Sequence, residues 1–106
     1  MVKRFSPIQV KNILESDAQI KLIDVRESWE YQIAKLENAQ LAPLGEFVDF
    51  SRQLNPEDKI VIYCHHGVRS FNACSYLSEN GFKEVINLEG GIDAWSREID
   101  NSIPVY

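Results

Sequence analysis

The sequence predicts an α/β fold, with a small, mostly parallel sheet flanked by helices on both faces. Three observations predict it. Short apolar runs alternate with amphipathic stretches along the whole chain. The run Lys59-Ile60-Val61-Ile62-Tyr63 is near-continuously apolar, on successive positions rather than alternate ones, as suits a strand buried on both faces. The stretches between apolar runs are long enough for helical crossovers between parallel strands. A length of 106 residues fits one domain spanning residues 1–106.

The elements come in this order. Val2 to Phe5 reads as a short edge strand. Ser6 is an N-cap residue, with Pro7 at the first helical position and Gln9 placed to close a capping box. Phe5 and Val10 occupy the hydrophobic-staple positions, and Val10, Ile13 and Leu14 form one apolar helical face. Lys21 to Val25 is a buried strand, and a second helix begins after Ser28 with Glu30 in its first turn. Ala39 to Ala42 is a short strand closed by Pro43. Leu44, Phe47, Val48 and Leu54 then recur at helical spacing until Asn55-Pro56. The strand Lys59 to Tyr63 leads through a loop into a helix from about Arg69 to Asn80, which Gly81 ends. Val85 to Leu88 is a fifth strand, Glu89-Gly90-Gly91 a turn and Ile92 to Ile99 a last helix.

Composition excludes several classes. Hydrophobic residues make up 44% and charged residues 25%, so a packed core is expected rather than disorder. The formal charge is −5, and the eleven Lys and Arg are scattered rather than striped, which argues against a nucleic-acid surface. No apolar stretch reaches the ~20 residues of a membrane span, and no signal-peptide core comes after Lys3 and Arg4. A cytoplasmic location and no membrane partner are expected. Cys64 and Cys74 form neither a C-x-x-C pair nor a zinc pattern.

In open α/β sheets, ligands bind beyond the carboxyl ends of the strands. Cys64 lies at that end of the strongest strand and opens the segment Cys64-His65-His66-Gly67-Val68-Arg69-Ser70. A strand, a tight loop and a helix start aim several N–H groups into the loop, where they hold an anion. Gly67 allows a backbone conformation that other residues resist. Arg69 adds a positive charge at the helix start. The combination favours a nucleophilic cysteine over an inert core thiol. Arg69 has two readings, an anion-facing group or an ion-pairing arginine.

These residues carry a resemblance. Cys64 to Ser70 is similar to the active-site loop of single-domain rhodanese-like sulfurtransferases. Leu22-Ile23-Asp24-Val25-Arg26-Glu27 followed by Trp29-Glu30 resembles the early strand motif of that family, and Asn87 to Trp95 resembles its C-terminal signature. The three motifs occur in family order from about Phe5 to Trp95. The segment Ala34-Lys35-Leu36-Glu37-Asn38-Ala39 departs from the family's Gly-His-Ile pattern, at the rim of the site. Related phosphatases of similar fold place five residues between Cys and Arg, whereas four separate Cys64 from Arg69 here. The smaller ring suits one sulfur atom better than phosphate or arsenate.

The resemblance implies a thiosulfate sulfurtransferase. Sulfane sulfur moves from a small anionic donor such as thiosulfate, through a persulfide on Cys64, to cyanide in assay or to a thiol or protein acceptor in the cell. His65, His66, Gly67, Val68, Arg69 and Ser70 would form the persulfide loop. Asp24 and Arg26 would support it, or form a purely structural ion pair. No cofactor and no metal are implied, because His65 and His66 have no second ligand pair at metal spacing. The alternatives are a low-turnover persulfide carrier, a phosphatase or arsenate reductase, and a non-catalytic interaction domain. Cys74 falls at a packing position on the helix after the loop, and Trp29 and Trp95 read as packing residues, Trp95 near the rim.

Overall fold

The computed structural model describes residues 1–106. Five strands form one sheet: β1 (Val2–Phe5), β2 (Lys21–Asp24), β3 (Gln40–Leu41), β4 (Lys59–Tyr63) and β5 (Glu84–Leu88). Every pairing is parallel, and the spatial order is β1-β5-β4-β2-β3. Five α-helices complete the chain: α1 (Pro7–Ser16), α2 (Ser28–Ile33), α3 (Phe47–Ser51), α4 (Val68–Glu79) and α5 (Gly91–Glu98). A 3₁₀ turn, Leu44–Glu46, precedes α3.

β4 is central, and Ile60, Val61, Ile62 and Tyr63 are all fully buried. Their side chains alternate between two cores, because successive residues of a strand face opposite ways. Ile60 and Ile62 join Phe47 of α3 and Ala73, Cys74 and Leu77 of α4 on one face. Val61 and Tyr63 join Val10 of α1 and Ile92 of α5 on the other. At the first crossover, Gln9 N–H donates to Ser6 Oγ and Ser6 N–H donates to Gln9 Oε1, so the predicted capping box is formed.

Two expectations change. The helix expected across Leu44 to Leu54 is a 3₁₀ turn and a five-residue α-helix ending at Ser51, with Val48 48% exposed. Its apolar residues need only a brief cover over Phe47, and turn bonds from Arg52, Gln53 and Leu54 back to Asp49, Phe50 and Ser51 finish it. Trp29 is 59% exposed, with its ring edge-to-face against Tyr106 rather than in the core, because the inward side of α2 is given to Glu30.

Register positions the site. Asp24 lies beside Tyr63, Ile62 beside Asn87, and Asn87 beside Arg4. The carboxyl ends of β2, β4, β5 and β1 therefore meet at one edge, with the Cys64 loop in the middle.

Candidate active site

Cys64 directly succeeds β4, and only 1% of it is exposed. Gly67 takes the left-handed conformation, φ +107°, and turns the chain into α4. That turn directs Gly67 N–H to Cys64 Sγ at 3.1 Å and Ser70 N–H to the same atom at 3.3 Å. Ser70 Oγ is also 3.4 Å from Sγ, but it lies much closer to Asn87 Oδ1. A hydroxyl has one proton, and the nearer amide oxygen receives it. The sulfur thus rests on two backbone donors.

The loop is held from behind. Ile92 N–H donates to Cys64 O at 2.9 Å and Asp93 N–H to His65 O at 3.1 Å. The first turn of α5 therefore takes two carbonyls that a tight loop would leave unpaired. In a trans peptide, C=O and N–H point opposite ways, so the N–H groups of His65 and His66 face away from α5. Asn87 completes the brace from β5. Its Nδ2 donates to Gly67 O at 3.1 Å and to Glu89 Oε2 at 2.7 Å.

A chain of charges flanks the loop. Arg69 forms two bonds to Glu30, at 2.7 and 2.9 Å. Tyr106 Oη donates to Glu30 Oε2 at 2.7 Å and accepts from Arg26 Nη1 at 2.7 Å. Arg26 in turn grips Asp24 from Nε and Nη2 and donates to Ala34 O, and both members of this pair are fully buried. The Arg69 bonds, with help from Glu27 N–H and Tyr106 against the cost of burial, hold the Glu30 carboxyl down at about 2. Burial opposes the charge of Arg26, but its bonds to Asp24 and Tyr106 outweigh that and raise its pKa.

A cysteine on a loop of inward N–H groups, beneath a helix start and between parallel strands, matches one family over most of the chain. The model for the rhodanese-like domain covers residues 6–98. This chain belongs to the rhodanese-like family. It is 37% identical over 97 residues to the Bacillus subtilis protein YtwF, provisionally named a sulfurtransferase, covering 92% of this chain and 93% of that protein. It is 41% identical over 92 residues to rhodanese-like/PpiC domain-containing protein 12, chloroplastic, of Arabidopsis thaliana; the match takes in 83% of this chain and 31% of that protein, so the chain spans about a third of its length. The crystal structure of a rhodanese-like domain protein from Staphylococcus aureus superimposes with a TM-score of 0.83 at 30% identity, over 98% of both chains.

Within this rhodanese-like site, the residues singled out in the sequence fall into three groups. Gly67 and Ser70 contact Cys64 directly. The side-chain bonds of Arg69 go to Glu30, and they raise its pKa against the cost of burial. Asp24 and Arg26 lie beneath the rim, as a brace joining β2 to the end of α2 and to Tyr106. Cys74 is fully buried, and its thiol is pushed up to about 12, first by burial and then by the nearby Cys64 and Glu89. Val68 is exposed at 72% on the outside of the loop.

The histidines differ from each other. His65 stacks flat on Tyr106, with ring centroids 4.0 Å apart and planes 4° from parallel, while His66 is exposed. Asp93 comes close to both, a grouping that sequence spacing did not indicate. The two imidazole rings lie against each other, with centroids 3.9 Å apart and planes 30° from parallel. Asp93 is bonded to Arg97 at 3.0 Å.

Sequence reasoning missed Glu30 as the partner of Arg69, Tyr106 as the link between the two arginines, and Asn87 as the loop brace. Asn87 carried a readable signal. It is a polar residue within the apolar strand Val85-Ile86-Asn87-Leu88, and such a residue must find partners once buried.

The Arg69 pair carries a measurable stability. Arg69→Ala leaves a nearly buried carboxylate short of two charge-assisted bonds, and a loss of about 1.5–3 kcal/mol at neutral pH is expected. The Glu30 pKa is depressed in the folded state, so the stabilisation is present above the ordinary carboxyl value and disappears as pH falls toward 2. Urea unfolding at a series of pH values checks this. The difference between parent and variant is expected to be largest near pH 7 and to shrink below pH 4; a constant difference would contradict the pairing.

Proposed function

We propose that this protein is a sulfurtransferase that carries sulfane sulfur as a persulfide on Cys64. One observation carries the reading: Cys64 Sγ sits at the carboxyl end of β4, facing the N–H groups of Gly67 and Ser70 within a short loop. The family membership and the sulfurtransferase name of YtwF support it.

The reaction has two halves. The Cys64 thiolate attacks the outer sulfur of a donor such as thiosulfate. The donor S–S bond breaks, sulfite leaves with the bonding pair, and Cys64 holds S–S⁻. The terminal sulfur is cradled by the loop from His65 to Ser70, whose donors are already oriented and cost no reorganisation. A thiophile then attacks that sulfur and Cys64 departs as thiolate. Cyanide serves as acceptor in assay, and a thiol, free or on a protein, in the cell. Arg69 contributes its charge beside the sulfur while bonded to Glu30, and Asp24 with Arg26 keeps the neighbouring strand end rigid. Neither half-reaction calls for a metal or cofactor. Free thiols at both cysteines suit a reducing, cytoplasmic setting.

Intact mass after thiosulfate treatment tests the proposal. One added sulfur, removed by cyanide with formation of thiocyanate, is the expected result; no added sulfur with any sulfane donor would overturn it. A second reading, a low-turnover carrier in a sulfur relay, predicts a stoichiometric burst of thiocyanate followed by negligible steady-state rate. Four residues between Cys64 and Arg69 argue against a phosphatase, and hydrolysis of an aryl phosphate is expected to be absent.

A further inference from the structure

A cleft of about 280 Å³ opens beside the Cys64 loop, on the side opposite the Arg69–Glu30 pair. Its walls come from four elements. His66 and Gly67 form the loop side, Val68, Phe71 and Asn72 come from the first turns of α4, Glu89 from just past β5, and Arg4 from β1. The cleft reaches the sulfur's own support, because Gly67 holds Cys64 Sγ through its N–H.

The cleft holds a cation without a carboxylate partner. Of the five arginines, Arg26, Arg52, Arg69 and Arg97 pair with carboxylates, and Arg4 alone does not. Its guanidinium lies 4.5 Å over the Phe71 ring, which fixes its direction while leaving its N–H groups unengaged. Across the cleft, one oxygen of Glu89 accepts from Asn87, and that bond anchors the carboxylate. One unpaired cation and one anchored carboxylate thus face a shared space against His66 and Gly67, the loop residues beside the sulfur. Register places Arg4 two strands from β4, a lateral span of about 10 Å. An arginine side chain and a small amino-acid thiol together cover that span.

We propose that this cleft is the acceptor subsite, and that it takes a small zwitterionic thiol. Arg4 binds the carboxylate, Glu89 binds the ammonium group, and the thiol lies against the loop. The proposal rests on the sulfur-transfer reading above and names the acceptor for it. In the step, the acceptor thiolate attacks the terminal sulfur of the Cys64 persulfide. A new S–S bond forms on the acceptor, the Cys64 S–S bond breaks, and Cys64 keeps that electron pair as thiolate. One sulfur atom changes hands, charge is conserved, and no external oxidant is consumed.

The test uses the intact protein preloaded with sulfur, and measures loss of the added sulfur against acceptor concentration. Four probes separate the groups: cysteine, 3-mercaptopropionate with the carboxylate only, cysteamine with the ammonium only, and cyanide with neither. Arg4→Ala is expected to raise the half-saturating concentration of cysteine and 3-mercaptopropionate about tenfold, the worth of one charge-assisted contact. Cysteamine and cyanide are expected to be unaffected, and Arg4→Lys to recover part of the loss. Glu89→Gln, which keeps an oxygen for Asn87, is expected to weaken cysteine and cysteamine and to spare 3-mercaptopropionate. If Arg4→Ala shifts all thiols alike, or none, the subsite is wrong. A parent protein that never takes up sulfur would overturn the sulfur-transfer reading instead, so the two failures are distinguishable.

Discussion

Cys64→Ser is expected to leave a folded protein that takes up no sulfur and forms no thiocyanate. Serine replaces one buried atom by a smaller one, and its oxygen still accepts from Gly67 and Ser70 N–H. Stability is therefore expected to stay within about 1 kcal/mol of the parent. The chemistry is lost because a hydroxyl at neutral pH is a far weaker nucleophile than a thiolate, and no base adjoins Cys64 to activate it. The contacts of the sulfur are two backbone N–H groups and the Ser70 hydroxyl, none of which takes up a proton. Cys74→Ser is the matching control. Its position is fully buried among Ile62, Ala73 and Leu77, so a hydroxyl there is expected to cost about 1–3 kcal/mol of stability. It should keep sulfur uptake intact, because a thiol pushed up to about 12 has almost no thiolate at neutral pH. Intact mass and thiocyanate formation on the two variants check both statements. Sulfur on Cys64→Ser would place the carrier elsewhere.

The parts of this site that were legible in the sequence are those carried by consecutive residues. Ile60 to Tyr63 is apolar throughout because β4 is covered on both faces, and an open α/β sheet binds its ligands just past the carboxyl end of such a strand. Ser6, Pro7 and Gln9 marked the start of α1 because capping is chemistry within four residues. Gly67 marked the turn into α4 for the same reason: its φ of +107° is a local demand.

The charge chain was not legible, because its members meet only through the fold. Glu30 and Arg69 are thirty-nine positions apart and Glu30 and Tyr106 seventy-six. Nothing in Trp29-Glu30-Tyr31 says which side of α2 faces inward. The structure turns the glutamate in and the tryptophan out because the facing surface carries Arg69 rather than an apolar wall. The same fact reinterprets Arg69. Its position at the end of the loop suggested a group aimed at a donor anion, and its bidentate bond to Glu30 directs two N–H groups elsewhere. A family motif locates a residue in the chain, and only its partners fix the direction of its side chain.

Gly91→Ala tests the support of the loop from α5, and a large loss of activity is expected. Two costs coincide at this position. The residue has φ +64°, a conformation that charges a Cβ-bearing residue about 1–2 kcal/mol. A Cβ there would also stand 2.5 Å from Cys64 O and closer still to His65 O. Those two carbonyls are the ones that Ile92 and Asp93 N–H hold, so the clash cannot be relieved without parting α5 from the loop. Once the carbonyls are released, the peptide planes of Cys64 and His65 lose the restraint that sets their N–H directions. A persulfide cradle that loses one oriented donor is expected to slow transfer about 10²- to 10³-fold, by analogy with donors to other developing anions. Stability is expected to fall by about 2–4 kcal/mol, from the backbone conformation and two weakened hydrogen bonds. Two other glycines separate these costs. Gly81 also has a positive φ, +88°, but a Cβ there meets nothing within 4 Å, so Gly81→Ala is expected to lose about 1–2 kcal/mol and keep parental transfer. Gly45 has neither feature, and Gly45→Ala is expected to match the parent in both measurements. Chemical unfolding and single-turnover sulfur transfer on the three variants provide the comparison. If Gly91→Ala transfers sulfur at the parental rate, the α5 contacts hold the fold together without orienting the loop.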